Sequence, residues 1–171
     1  MSTSKEFEKK PLPLNQKHNL YSVVIIGLIF FLDRFSKIKI ISHQINDSGI
    51  YINDFINFDL AWNTGIGFGL LSSNSSLVYN LITILIGVVI IYLIYLIIKS
   101  QFIDKALFSM VLGGAIGNFY DRLIYFAVPD FIDIHYQNFH WFTFNIADIF
   151  ITAGIIFLLI KDFFLKNGKH E

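Results

Sequence analysis

The sequence predicts an α-helical integral membrane protein with four transmembrane helices. A small extracytoplasmic β-sheet and a short amphipathic periplasmic segment accompany them. Three observations predict this fold: the composition, four long apolar stretches, and the distribution of Lys and Arg. Of 171 residues, 54% are hydrophobic and 15% are charged, whereas soluble chains carry roughly 25% charged residues. The absence of cysteine excludes disulfides and thiolate chemistry, and a net charge of zero gives no indication of nucleic-acid binding.

The four apolar stretches are the predicted transmembrane spans. Residues 77–98 carry no charge, and at about 1.5 Å per residue this stretch can cross a hydrocarbon core of ~30 Å. The other three spans, which do contain charged residues, are predicted at about residues 20–41, 106–126 and 148–165. All four belong to one membrane domain, preceded by a polar cytoplasmic tail of residues 1–18. Cleavage of the first span as a signal peptide is disfavoured, because it lacks a small-residue cleavage site and charges interrupt it.

The basic residues predict the orientation of the chain in the membrane. Nine of the thirteen Lys and Arg residues lie before the first span, around the short second connection, or at the end of the chain. The two other connections, residues 42–76 and 127–147, contain none. By the positive-inside rule both termini are cytoplasmic and the two long connections face outward.

Both outer connections have the alternating pattern of short strands. The segments "GIYINDFINFDLAWN" and "FIDIHYQNFHWFTF" alternate aromatic or β-branched residues with polar ones. Their aromatic residues, including Trp62 and Trp141, are typical of the interface between membrane and water. We therefore expect a small amphipathic sheet on the outer leaflet.

Two aspartates lie at the outer ends of consecutive spans. Asp130, in "VPDFID", follows the third span, and Asp148, in "FNIAD", begins the fourth. Two neighbouring carboxyl groups do not easily both ionise, so one would hold a proton and donate it to a scissile carbonyl while the other activates water. Such a pair needs no metal or cofactor. Capping of the fourth helix by Asn145 and Asp148 is an alternative reading that is compatible with the first.

Further polar residues lie within the first and third spans. Asp33 and Lys37 are four residues apart, so they share a helix face and could form an ion pair. Asn118 and Arg122 share a face of the third span, where a buried amide needs a partner. Arg122 could bind a carbonyl or carboxylate, or it could extend to the interface. Asp121 could balance the charge of Arg122.

Glycine-rich stretches and histidines complete the set of candidates. Gly113, Gly114 and Gly117 form a small-residue surface suited to close helix packing. The stretch "NTGIGFG", residues 63–69, predicts a tight turn or a backbone that approaches a ligand. The outer histidines, among them His135 and His140, have no compact ligand spacing such as HExxH, so we expect no metal site.

Five motifs, in order from about Leu20 to Leu165, together resemble the lipoprotein signal peptidase family (signal peptidase II), the membrane aspartyl peptidases of bacteria. "DRFSK", "NTGIGFG", "GGAIGNFYDR", "VPDFID" and "FNIAD" are similar to that family's D-Q-x-[ST]-K, N-x-G-x-A-F-G, G-G-A-x-G-N-x-x-D-R, V-x-D-F-x-D and F-N-x-A-D. Arg34 stands where the family usually has Gln, and Gly67 where it usually has Ala. Both departures lie away from the aspartates and concern the fit of the substrate rather than the chemistry.

The resemblance implies a function and a set of site residues. Asp130 and Asp148 would be the catalytic dyad of an enzyme that cleaves diacylglyceryl-modified prolipoproteins just before the lipidated cysteine. The residues implied to bind substrate or support the site are Asn63, Gly65, Asn118, Arg122 and Asn145, and Asp33, Lys37 and Asp121 would give structural support. The resemblance also implies that the outer sheet forms a cradle for the substrate and that the site lies near the outer leaflet of the bacterial cytoplasmic (inner) membrane. The enzyme would be a monomer that contacts membrane lipid and uses no cofactor.

Two other functions remain open from the residues alone. A small proton- or cation-coupled transporter could use Asp33, Asp130 and Asp148 as a relay. A transporter would spread polar residues through the membrane depth, whereas these cluster at the outer side. In a noncatalytic scaffold, caps and ion pairs would explain every polar residue, but they give no reason for five ordered motifs.

Overall fold

The computed structural model describes residues 14–44, 49–65 and 76–167. In these ranges the elements are, in chain order, α1 (Leu14–Gln44), β1 (Ile50–Asn53), β2 (Ile56–Asn63), α2 (Ser76–Lys99), α3 (Phe102–Tyr125), β3 (Val128–Tyr136), β4 (Phe139–Phe144) and α4 (Ile146–Asn167). Each of the two long connections therefore contributes a pair of strands, as the alternating pattern predicts.

The helices begin somewhat earlier than the sequence predicts. α1 starts at Leu14, inside the stretch of residues 1–18 that we expected to be a loose tail. The sequence has no proline or glycine between Pro13 and Gly27, so nothing interrupts the helix in that stretch. α4 starts at Ile146 rather than at Asp148, because Asn145 supplies its N-cap.

By length and composition, two of the helices in the described part of the chain are apolar enough to cross a membrane. They are Leu77–Lys99 in α2 and Phe102–Tyr125 in α3. α2 exposes an apolar side chain at every seventh position, and these residues are Leu77, Ile84, Ile91 and Ile98. A continuous apolar stripe of this kind is typical of a surface that faces lipid or a partner.

α3 is the central helix of the bundle and contacts the three other helices. Its glycines allow that packing, because a Cβ at Gly114 would lie 2.5 Å from the carbonyl oxygen of Ala147 in α4. A Cβ at Gly117 would lie 2.6 Å from the Asp33 carboxylate in α1. The predicted role of these glycines in close helix packing is confirmed.

The sheet has four antiparallel strands in the order β1-β2-β3-β4. The pairing of β2 with β3 joins the two outer connections, with Ala61 opposite Asp130 and Asn63 opposite Val128. α3 ends at Tyr125, and its C-cap Phe126 has a left-handed φ of 56° that turns the chain into β3. β4 leads directly into Asn145 and α4. The sheet therefore lies where α3 ends and α4 begins, beside both predicted catalytic residues.

Candidate active site

Asn145 connects the two aspartates that the sequence singles out. Its side-chain amide donates to Asp130 Oδ1 at 2.6 Å, and its side-chain oxygen accepts from the Asp148 backbone N–H at 3.1 Å. The Asn145 backbone N–H in turn donates to Asp148 Oδ2 at 3.2 Å. This reciprocal pair of bonds is a capping box at the start of α4. The capping prediction is therefore confirmed, and the same cap orients one aspartate while holding the other.

Asp130 lies on β3 and is only 2% exposed. Besides the bond from Asn145, its Oδ2 accepts a hydrogen bond from Asn63 Nδ2 at 2.8 Å. Burial, together with the charge of Asp148, raises the pKa of Asp130 to about 7, although the bonds from Asn63 and Asn145 oppose this rise. Near neutral pH the Asp130 carboxyl group can therefore both hold and release a proton.

Asp148, in the first turn of α4, is half-buried and is oriented by Asn118 of α3. Asn118 Nδ2 donates to Asp148 Oδ1 at 2.8 Å. The oxygen of the same amide accepts from Lys37 Nζ at 2.8 Å. Because an ammonium group can only donate, Lys37 fixes the orientation of the Asn118 amide and directs its N–H groups to Asp148.

Lys37 and Asp33 are both fully buried, and Nζ of Lys37 lies 2.7 Å from Oδ2 of Asp33. The predicted ion pair is confirmed. Lys37 also lies 2.7 Å from Oδ2 of Asp121 on α3, and the second oxygen of Asp33 accepts from the Ala147 backbone N–H at 2.9 Å. The pair therefore binds α1 both to α3 and to the N-terminus of α4.

Among the described residues Asp121 forms no direct ion pair with Arg122, and its charge acts on that guanidinium only at longer range. Asp121 forms ion pairs with Lys37 and Arg34 of α1. Consecutive residues of a helix point about 100° apart, so Asp121 faces α1 while Arg122 faces the loop after β2. Arg34, the departure from the family motif, also lies over the Tyr120 ring at 4.9 Å.

Arg122 is 3% exposed and does not extend to the interface. One guanidinium nitrogen, Nη2, donates to the Gly65 carbonyl at 2.5 Å, and Nη1 donates to the Asn118 carbonyl at 3.3 Å. Its third nitrogen, Nε, is buried and has no hydrogen-bond partner in the part of the chain that the structure describes. The Gly65 N–H donates to Asn63 Oδ1 at 2.8 Å, which closes a tight turn of the predicted kind. The rest of that motif, including Gly67, lies outside the described residues.

An apolar cavity opens from this polar cluster. It has a volume of about 350 Å³ between α2, α3 and α4, and Asn118, Arg122 and Asp148 form its polar part. Apart from Thr152 the remainder is apolar and includes Ile82, Leu85, Ile86, Val89, Leu93, Ile151 and Ile155. A second apolar cavity of similar size lies along α4 and also reaches Asp148. The dyad residue Asp148 therefore borders two apolar spaces.

The structure brings all the predicted site residues into one hydrogen-bonded network. Sequence reasoning missed the partners of Arg34, and it missed Tyr79, whose hydroxyl donates to the Arg122 carbonyl at 2.7 Å. Both residues could have been noticed in the sequence. Arg34 is one of the four basic residues that lie outside the predicted cytoplasmic segments, so the positive-inside rule does not account for its position. Tyr79 carries a hydroxyl group that needs a hydrogen-bond partner within an otherwise apolar span.

One group in the described part of the chain has the composition of a metal site. Asp133, His135 and His140 have ligand atoms that all lie within 4.8 Å of one another. Strand pairing, and not sequence spacing, brings His140 opposite His135, so a search for compact spacing misses the group. It contains neither Asp130 nor Asp148.

A family model described as "Signal peptidase (SPase) II" matches residues 25–164. The chain belongs to the signal peptidase II family. A lipoprotein signal peptidase of Pelagibacter ubique is 48% identical over 158 residues, which are 91% of this chain and 95% of the relative. The lipoprotein signal peptidase of Francisella tularensis subsp. novicida is 36% identical over 151 residues, 84% of this chain and 92% of that one. A solved bacterial membrane enzyme superimposes with a TM-score of 0.69 at 33% identity, covering 88% of this chain and 90% of its own.

Family membership confirms the activity that the five motifs imply. The protein is a membrane protease that processes lipoproteins as a signal peptidase II. The transporter and scaffold alternatives are therefore set aside. The fold is that of a membrane enzyme, with a helical bundle and a four-stranded antiparallel sheet.

Proposed function

We propose that Asp130 and Asp148 are the catalytic dyad that removes the signal peptide from diacylglyceryl-modified prolipoproteins, just before the lipidated cysteine. The observation that carries this assignment is the position of Asn145, which is hydrogen-bonded to both aspartates through one buried side chain. If the two aspartates only capped α4, Asp148 would be sufficient. If Asp130 only formed a structural ion pair, a cation would lie beside it. In the described residues Asp130 instead accepts bonds from two neutral amides.

The chemistry follows from one proton shared by two carboxyl groups. The ionised carboxylate accepts a proton from water as the water oxygen attacks the scissile carbonyl carbon. The protonated carboxyl group donates to the carbonyl oxygen, which avoids an unstabilised negative charge there. Asp130, with its pKa raised to about 7 by burial, can hold or release that proton near neutral pH. Each aspartate accepts two hydrogen bonds that fix its direction while the proton moves.

The other site residues hold this pair in place. Asn63 and Asn145 position Asp130, and Asn118 positions Asp148. Arg122 holds the turn that follows Asn63 through the Gly65 carbonyl. The structural group defined by Asp33, Lys37 and Asp121 fixes α1 against α3 and against the start of α4.

The apolar cavity between α2, α3 and α4 is suited to a substrate that carries lipid. Its long apolar walls suit hydrocarbon, and its polar end carries Asn118, Arg122 and Asp148. A scissile bond at that end would lie beside the dyad while the apolar parts of the precursor remain in a hydrophobic environment. The substrate would then reach the dyad without leaving the membrane.

All four helices cross the membrane in this proposal, so α1 and α4 do so in addition to α2 and α3. The charges of Asp33 and Lys37 in α1 are fully buried against each other and against α3. Most of the outward surface of that helix is apolar, with Leu28, Phe31, Leu32, Phe35 and Ile38 exposed. The exposed Lys39 lies near its outer end. Paired charges in the bundle interior are the arrangement that a membrane tolerates. The termini are then cytoplasmic, and the sheet and dyad lie at the outer leaflet of the bacterial inner membrane, in an enzyme that acts as a monomer.

The test is cleavage of a lipidated precursor by the purified full-length protein in detergent. We expect a diacylglyceryl prolipoprotein to be shortened on a gel, with the new N-terminus at the lipidated cysteine by mass spectrometry. The same precursor without the lipid is the matched control and should remain intact. Equal cleavage of both precursors, or cleavage at another bond, would contradict the proposal.

A further inference from the structure

We propose that Asp133, His135 and His140 form a zinc-binding site on the sheet, separate from the dyad. The three residues supply one carboxylate and two imidazoles, and their ligand atoms lie within 4.8 Å of one another. This donor set is one that zinc accepts, commonly with a water as the fourth ligand.

Strand geometry places the three side chains together. Asp133 and His135 are two residues apart on β3, so they project from the same face of the sheet. His140 on β4 is the cross-strand partner of His135. Asp130 is three residues from Asp133, an odd separation that directs it to the opposite face. The group is therefore on the face of β3 that does not carry the dyad.

The distances are close to those of a tetrahedral zinc site. Zinc bonds of about 2.0–2.2 Å place neighbouring ligand atoms roughly 3.4 Å apart. His135 Nδ1 lies 3.4 Å from Asp133 Oδ2, and His140 Nδ1 lies 2.7 Å from the same oxygen. Since the His140 side chain is 59% exposed, it can rotate outward by the fraction of an ångström that the site requires.

The environment of His135 gives a separate reason to expect a metal ion. His135 is 6% exposed, yet within the described ranges its buried Nδ1 has no hydrogen-bond partner. Its contact with Asp133 Oδ2 is an ion pair only when the ring is protonated. A buried imidazole nitrogen in this situation normally has a partner, and Nδ1 is the atom that lies nearest Asp133. A simple ion pair between His140 and Asp133 leaves this nitrogen unexplained, whereas a metal ion at the centre of the group gives it a bond.

Asn57 on β2 completes the arrangement around His135. Its amide nitrogen lies 3.4 Å from His135 Nε2, and its buried amide oxygen has no hydrogen-bond partner among residues 14–44, 49–65 and 76–167. Rotation of the amide would place that oxygen against Nε2–H. A ligand histidine typically donates its second N–H to an oxygen in this way, and the first nitrogen is then left with a lone pair for the metal.

Two imidazoles and one carboxylate favour zinc over magnesium or calcium, which bind oxygen ligands. The exposed His140 leaves one side of the group open to solvent, so a water molecule can complete the coordination. Zinc here would join β3 to β4, the hairpin that begins beside Asp130 and ends at Asn145. It would stabilise the hairpin and take no part in the cleavage.

The proposal is tested by zinc titration of the full-length enzyme, purified without a histidine tag and freed of metal by chelation. We expect one saturable zinc site by calorimetry and a higher Tm with zinc. Cobalt(II) should give the strong visible absorption of a tetrahedral complex. His140→Ala removes an exposed ligand at little cost to folding and should weaken zinc binding at least about tenfold.

Two controls make each outcome decisive. His18→Ala removes a histidine of α1 outside the group and should bind zinc as the wild type does. His140→Ala should keep the metal-free Tm of the wild type, which shows that the protein is folded. The absence of saturable binding, or equal affinity in His140→Ala and the wild type, would overturn the proposal. Equal weakening by His18→Ala would do the same, because the binding would then not be specific to the three residues.

Discussion

Replacing Arg122 with lysine separates two roles that an arginine at the end of a transmembrane helix can have. If the side chain served only to place a positive charge near the interface, lysine would replace it well. The structure places Arg122 in the interior instead, with its planar guanidinium donating to two carbonyls on different elements. A lysine has one nitrogen and cannot reproduce that fork.

The expected size of the effect follows from the bonds that are lost. A hydrogen bond that involves a charged group is worth roughly 1.5–3 kcal/mol, and lysine would lose at least one of the two. The loss would reach the dyad through Gly65, whose N–H is bonded to Asn63, and through Asn63, which is bonded to Asp130. If the transition state depends on this positioning, kcat/KM should fall by about ten- to a hundredfold.

The assay is turnover of the lipidated precursor, with expression level and Tm measured on the same preparations. Arg34→Lys is the matched control, because Arg34 is also buried and charged but bonds Asp121 and Tyr125 on the side of α3 that faces α1. We expect Arg34→Lys to retain most of the activity. Activity of Arg122→Lys within about twofold of the wild type would refute the positioning role, and an equal loss in both variants would show a general effect of the substitution on the bundle.

Three further predictions concern pH, topology and chelation. Because burial raises the pKa of Asp130 to about 7, kcat/KM should fall as the pH rises through about 7 and the dyad loses its shared proton. A rate that still increases above about pH 8 would contradict this assignment. A reporter tag at Gln101, between α2 and α3, should report a cytoplasmic location, and a tag at Gln137, between β3 and β4, should report a location outside the cytoplasm. A cytoplasmic location of Gln137 would overturn the placement of the dyad. EDTA should leave the cleavage activity unchanged and should lower only the Tm of the zinc-loaded enzyme. If EDTA abolished the activity and a divalent ion restored it, the chemistry would depend on a metal.

Much of the architecture could be predicted from the sequence, because its signals are local. Charge-free length predicts α2, alternation predicts the strands, and small residues predict the packing surface of α3. The exact helix starts could not be predicted so well. The sequence indicates Asn145 as a cap, but the span was predicted to begin at Asp148, and only the hydrogen bonds of the cap place the start of α4 at Ile146.

The pairing of charges across helices was the least predictable part of the site. The Asp33–Lys37 pair is within one helix and follows from its spacing. The direct partners of Asp121 depend on how α1 and α3 face each other, so its sequence neighbour Arg122 gave no indication of them. The proposed zinc site was equally hard to predict, because strand pairing, and not sequence spacing, brings His135 and His140 together.

The most direct test of the account is turnover of the lipidated precursor by Asp130→Asn and Asp148→Asn. Each change keeps the size of the side chain and removes the carboxyl group that exchanges a proton. Membrane insertion should be preserved and Tm should fall only modestly, because the amide oxygen keeps one of the two accepted hydrogen bonds while the amide nitrogen faces the second donor. The account predicts that both variants fold and that neither cleaves the precursor. Near-normal cleavage by either folded variant would show that Asp130 and Asp148 are not the catalytic pair.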